Sequence, residues 1–111
     1  MFVILWEYEV KPGSEPRFQR VYGPRGAWVR LFRRDPHFRG TRLLRDPARP
    51  RVYFTIDFWD SATAYRRFLT KNRAWYRKID RETQGLTRRE RPLFSLTQAE
   101  ALSPASNKQS D

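Results

Sequence analysis

The residues from Phe38 to Leu69 constrain this chain more than any others. Phe38 to Asp46 reads as a strand, Asp46-Pro47-Ala48-Arg49-Pro50 as a Pro-rich turn, and Val52 to Trp59 as a second strand. Asp60-Ser61 then opens a helix that carries Tyr65, Phe68 and Leu69 on one face. A hairpin running directly into an amphipathic helix is the middle of a β-α-β-β-α-β unit, so the flanking segments must supply one strand and one helix before it and one strand after it.

They do. Phe2 to Val10 is a strand whose two alternating sets both begin apolar, with Phe2, Ile4, Trp6 and Tyr8 on one face and Val3 and Leu5 on the other. That pattern belongs to an interior strand covered on both sides. Lys11-Pro12-Gly13 ends it, and Ser14 is placed to cap a helix with Glu15 and Pro16 in its first turn. Phe18, Val21 and Tyr22, then Trp28, Leu31 and Phe32, each show i, i+3, i+4 spacing, interrupted by Gly23-Pro24-Arg25-Gly26. The expectation is two helical pieces with a break between them.

In the hairpin, Val52, Phe54, Ile56 and Phe58 alternate with Tyr53, Thr55, Asp57 and Trp59. The purely apolar first set is expected to face the helices, and the amphipathic second set a partner or a cavity. The first hairpin strand, diluted by Arg39, Gly40, Arg42 and Arg45, suits a sheet edge. The helix after Ser61 is expected to kink or restart near Thr70 to Asn72, with Trp75, Tyr76 and Ile79 continuing the apolar stripe to a C′ residue at Gly85. Leu86 to Thr97 is the last strand, with Pro92 again marking an edge.

Interior first and third strands with edge second and fourth strands give the order 4-1-3-2. The fold class is therefore α+β, a ferredoxin-like domain over residues 1–97, with residues 98–111 as a flexible C-terminal tail. One sheet face is left too apolar for water. The simplest cover is a second copy packed sheet to sheet about a two-fold axis, which makes a homodimer the expected partner.

Composition narrows the function classes. The chain has 111 residues, no cysteine and a single histidine, His37, so disulfides and ordinary zinc sites are excluded. The apolar run Phe2 to Trp6 lacks a basic lead and meets Glu7 and Glu9; it reads as neither a signal peptide nor a membrane span. A soluble cytoplasmic protein is expected. The formal charge is +11, and residues 17–51 hold eleven Arg against Asp35 and Asp46, a local balance of +9. Such a field attracts anions. Nineteen Arg against four Lys reads equally as a compositional bias that leaves a solvated surface.

The residues resemble the antibiotic biosynthesis monooxygenase-like proteins of the dimeric α+β barrel superfamily. The resemblance is carried by Phe2 to Gly13, Tyr22-Gly23-Pro24, Trp28 with Leu31-Phe32-Arg33, Gly40 to Asp46, and Tyr53 to Trp59 followed by Ser61 and Tyr65. It implies one of two chemistries: cofactor-independent oxidation of an aromatic phenol or hydroquinone by dioxygen, or oxidative haem degradation. For haem degradation the matching positions are Glu7, Phe68 and Lys78, and all three depart from the Asn, Trp and His of that route. No cofactor is therefore expected, haem included. For the oxygenases, the resemblance implies catalytic positions at Trp59 and Tyr65 and a substrate-binding position at Thr55. Trp75, Tyr76 and Lys78 are further substrate-binding positions, as ring surface and proton donors. Each large aromatic is, by its spacing alone, more often core than catalytic.

Two other readings remain open. A non-catalytic dimer binding a hydrophobic small molecule would have the same sequence. A single-stranded RNA-binding module shares the strand order, but its third-strand pattern needs small residues where Val52 and Phe54 stand, and Asp57 would repel phosphate. Nucleic acid is not the expected partner, and neither is a membrane.

Overall fold

In a computed structural model of the chain, residues 1–99 are described. The strands are β1 (Phe2–Val10), β2 (Phe38–Arg45), β3 (Val52–Trp59) and β4 (Thr87–Thr97). The helices are α1 (Glu15–Tyr22), α2 (Ala27–Phe32), α3 (Ala62–Lys71) and α4 (Arg73–Thr83). The sheet order is β2-β3-β1-β4, antiparallel throughout. The chain folds as the expected ferredoxin-like α+β unit. Of the expected C-terminal tail, residues 100–111 lie outside the described residues.

Local chemistry accounts for the boundaries, with two differences from expectation. The Ser61 hydroxyl accepts the Ala64 N–H at 3.1 Å and caps α3 as expected. Ser14 precedes α1, but its side chain makes no capping bond; only its carbonyl takes the Phe18 N–H. Gly85 is not a left-handed C′ residue either: it lies in a 3-10 turn over Gln84–Leu86 that leads directly into β4. Gly40, at φ +135, occupies the bulge where β2 slips against β3 between Phe38 and Gly40, a conformation that favours glycine.

The largest difference concerns the faces of β3. Tyr53, Thr55, Asp57 and Trp59 are buried beneath the helices, while Phe54, Ile56 and Phe58 lie on the open face. The parity is as expected and the side is reversed. Register shows why the open face is coherent: Ile56 pairs with Leu5 and Phe58 with Val3, and these pair onward with Phe94 and Leu96. Phe94 and Leu96 are 58% and 55% exposed. None of the described helices packs on that side. The same open face ends in charge, where Glu7 accepts from Arg91 at 2.9 Å and from Arg49 at 3.3 Å.

Beneath the helices the core is a chain of rings. Phe18 stacks on Tyr22 at 4.4 Å, and Phe32 makes edge contacts with Trp59 at 5.8 Å and Phe68 at 5.5 Å. Trp59 and Phe68 are fully buried. Truncating either to alanine is worth about 3–5 kcal/mol, the usual range for a buried large aromatic.

Candidate active site

A cavity of about 460 Å³ lies between the sheet and the helices, the size range of small-molecule sites. Its floor is the inner face of the sheet. Trp6 and Tyr8 come from β1, Thr41 from β2, Thr55 and Asp57 from β3, and Glu90 and Pro92 from β4. Its roof is helical, with Tyr22 of α1, Trp28, Val29 and Phe32 of α2, Tyr65 of α3, and Tyr76 and Asp80 of α4.

The Gly23–Gly26 break builds the roof. The Gly26 N–H closes a turn on the Gly23 carbonyl at 2.9 Å, and a Cβ at Gly26 would sit 2.0 Å from the Val21 carbonyl oxygen. Only glycine lets α1 and α2 approach that closely. The redirected α2 then brings Trp28 edge-on to Tyr76 at 4.8 Å, so the break serves the cavity. On the floor, a register slip in β4 between the partners of Leu5 and Trp6 sets Pro92 opposite Trp6. A bulge of this kind re-aims side chains beside a site.

Polar groups are few and placed by register. Thr41 faces Asp57 across β2 and β3, and its hydroxyl donates to Asp57 Oδ1 at 2.6 Å. Asp57 is 9% exposed, and no cation pairs with it among the described residues. Burial pushes its carboxyl up from 3.8 to about 6, against the opposing Thr41 bond. Tyr8 and Thr55 share a hydrogen bond at 3.1 Å. Burial raises Tyr65 and Tyr22 to about 12 and pushes Tyr76 and Tyr8 up as well. At neutral pH these phenols are donors, not bases. Burial also raises Glu90, which accepts from the Thr87 hydroxyl at 2.8 Å and is repelled by Asp80. The Trp28 indole N–H is turned toward the Tyr22 side of the cavity but completes no hydrogen bond within normal geometry.

The residues singled out in the sequence divide. Thr55, Tyr65 and Tyr76 meet around the cavity. Trp59 does not line it: fully buried, it braces Tyr65 edge-on at 5.4 Å. Trp75 and Lys78 lie outside, on a surface groove between α2 and α4, where Arg34 covers the half-exposed Trp75 ring at 4.3 Å. His37 is also remote, its Nδ1 3.0 Å from Asp60 Oδ2 beside the Arg39–Asp60 pair. Sequence reasoning put Asp57 on the strand face expected to meet a partner or a cavity but gave it no role, and it missed Glu90, Asp80 and Trp28. An aspartate alternating with Thr55 on an otherwise apolar strand was the available signal for the first; the others are assembled by topology. The positive charge does not gather here, because the lining has three acids and neither lysine nor arginine.

A four-stranded antiparallel sheet in the order β2-β3-β1-β4, covered on one side by helices, defines the ferredoxin-like α+β class. Within that class, the chain belongs to the antibiotic biosynthesis monooxygenase family, whose model matches residues 1–74. Solved structures agree in fold. A variant of SnoaB, a cofactor-independent oxygenase from Streptomyces nogalater, superposes with a TM-score of 0.74 at 19% identity over 93% of this chain and 97% of that one. A Deinococcus radiodurans protein described as a candidate antibiotic biosynthesis monooxygenase gives 0.73 at 10% identity, over 94% and 98%. A variant of MhuD with two manganese protoporphyrin IX molecules per active site gives 0.69 at 17% identity, over 94% and 100%. Identities this low carry the fold alone. No curated protein matches the sequence. Among the described residues no helix is long and apolar enough to cross a membrane.

Proposed function

We propose that the cavity is the active site of an oxygenase that oxidises an aromatic phenol or hydroquinone with dioxygen and needs no resident cofactor. The observation that carries this reading is Asp57, an unpaired buried carboxyl in the wall of a ring-lined cavity, raised to about 6. A base poised just below neutral pH is ionised and still basic enough to take a phenolic proton.

In this reading the substrate ring lies among Trp6, Trp28 and Tyr76, and Asp57 takes its hydroxyl proton. The Tyr65 and Tyr76 hydroxyls, which no described side chain holds, donate to the new phenolate oxygen. The phenolate passes one electron to dioxygen, and the resulting radical and superoxide join at a ring carbon. That carbon then loses its proton as the O–O bond breaks, so phenol plus dioxygen yields quinone plus water. Trp59 acts through Tyr65, as a positioning residue.

The lining argues against a haem route. The chain has one histidine and no cysteine, and His37 is held by Asp60 away from the cavity. Raised tyrosine pKa values oppose a tyrosinate ligand. Haem also carries two carboxylates, which three lining acids would repel. For the open face, the reading includes a second copy packed sheet to sheet, since Leu5, Ile56, Phe58, Phe94 and Leu96 form one apolar surface.

Oxygen uptake with 1-naphthol, with isotopic dioxygen traced into the product, tests the reaction. Turnover unaffected by chelator is expected, with kcat lowered about 100-fold or more in Asp57→Asn and also lowered in Tyr65→Phe and Trp59→Phe. Binding of phenols across a panel without any oxygen uptake would replace this reading with a non-catalytic binding protein.

A further inference from the structure

The cavity opposes the charge of its own protein. The chain carries 23 Lys and Arg against 12 Asp and Glu, yet every side chain in the lining that can carry a full charge at neutral pH is acidic: Asp57, Asp80 and Glu90. They arrive from three separate elements, β3, α4 and β4, so no local run of sequence explains them. None is neutralised by an ion pair among the described residues. Among the described residues, Asp57, nine-tenths buried, accepts from the Thr41 side chain alone, and Glu90 from the Thr87 side chain alone. Asp80 and Glu90 stand close enough to repel each other.

Three acids outside the cavity pair with arginine: Glu7 with Arg49 and Arg91, Asp46 with Arg49, and Asp60 with Arg39. Of the three cavity acids, Asp57 is buried, Glu90 half-buried and Asp80 exposed, and all three share the lining with aromatic rings. Tyr22 and Tyr76 both feel the charges of Asp80 and Glu90, and Trp28 sits against each of those tyrosines, at 6.2 Å and 4.8 Å. Electron-rich ring faces beside uncompensated carboxylates are the two features that recognise an organic ammonium ion.

We propose that this site takes an aromatic substrate bearing a protonated amine, with the ammonium held among Tyr22, Tyr76, Asp80 and Glu90. The proposal deepens the oxygenase reading and rests on it for the identity of the site. An ammonium on the substrate also offsets the phenolate that must form beside three acids. The long-range field of a +11 protein repels cations, so any preference for an amine has to arise inside the cavity.

Isothermal titration with three probes of matched ring size tests this: 2-naphthylmethylamine, 2-naphthylmethanol and 2-naphthoate. The amine is expected to bind at least about tenfold tighter than the alcohol, and the carboxylate weakest. In Glu90→Gln combined with Asp80→Asn, near-isosteric changes at one half-buried and one exposed position, the amine advantage should collapse while alcohol binding persists. Equal affinity of amine and alcohol in the native protein, with both binding, overturns the amine proposal and leaves an aromatic site standing. An advantage that survives the double substitution places the cation elsewhere and also overturns it. No binding of any probe overturns the cavity reading together with the proposal.

Discussion

Replacing Asp57 by asparagine should make this protein more stable while disabling it. The native fold holds the Asp57 carboxyl at about 6 against 3.8 in the open chain, and at about 1.4 kcal/mol per pKa step that difference is worth about 3 kcal/mol. Below 3.8 both states are protonated and burial costs nothing through this group. As pH rises from 3.8 to 6 the unfolded chain releases the proton and the native state retains it, so stability falls. Above 6 the whole cost is present. Asparagine keeps an Oδ1 acceptor for the Thr41 hydroxyl and removes the charge. Urea melts at fixed protein concentration should therefore show Asp57→Asn more stable than the native chain by about 3 kcal/mol at pH 8 and by less than about 1 kcal/mol at pH 4. Against a total stability of about 5–15 kcal/mol that gain is large, and it is the signature of a group retained for chemistry at the expense of folding. A stability gap that is the same at both pH values, or an asparagine variant weaker at pH 8, would refute the picture of a desolvated, titrating acid.

Gly26→Ala should destabilise by about 2 kcal/mol or more, because its Cβ meets the Val21 carbonyl at 2.0 Å; thermal melts with unchanged midpoint would show that α1 and α2 can move apart freely. Ser61→Ala removes the only side-chain bond at the α3 start and should cost about 1 kcal/mol in chemical denaturation, whereas Ser14→Ala, which loses no capping bond, should be close to neutral. Ile56→Glu puts a charge at the centre of the open face and should weaken the proposed dimer by about 30-fold or more; sedimentation equilibrium giving the same dimer fraction as the native chain would move the interface elsewhere. Trp75→Ala, at 48% exposure in its surface groove, should leave 1-naphthol turnover unchanged, and a large loss would bring that groove into the site.

Much of the fold was legible in order along the chain. Pro12-Gly13, Gly23-Pro24, the Pro-rich turn and Ser61 are local signals, because turn and cap chemistry depends on a few neighbouring residues. The kink before Asn72 and the edge position of Pro92 were readable for the same reason. The side of the sheet was not. Alternation in β3 separates Tyr53, Thr55, Asp57 and Trp59 from Val52, Phe54, Ile56 and Phe58, yet period two is symmetric with respect to which set meets the helices. Hydrophobicity alone sends the more apolar set inward. Here the inward set carries hydroxyls and a carboxyl because it floors a cavity, and the apolar set faces outward.

The candidate site follows the same division. Thr55, Tyr65 and Tyr76 were reachable from the sequence because the resemblance assigns Thr55 and Tyr65, and Tyr76 lies on an apolar helical stripe. Asp57, Asp80 and Glu90 come from three different elements, β3, α4 and β4, and Trp75 and Lys78 differ from Tyr76 only in helical phase. By itself, then, the sequence determined the elements, most of their boundaries and the strand order, through turn, cap and edge signals of short range. Which face holds the cavity, which aromatics line it, and that its charge is opposite to that of the whole protein were decided only by tertiary packing, since burial and charge neighbourhood are properties of residues that meet in space.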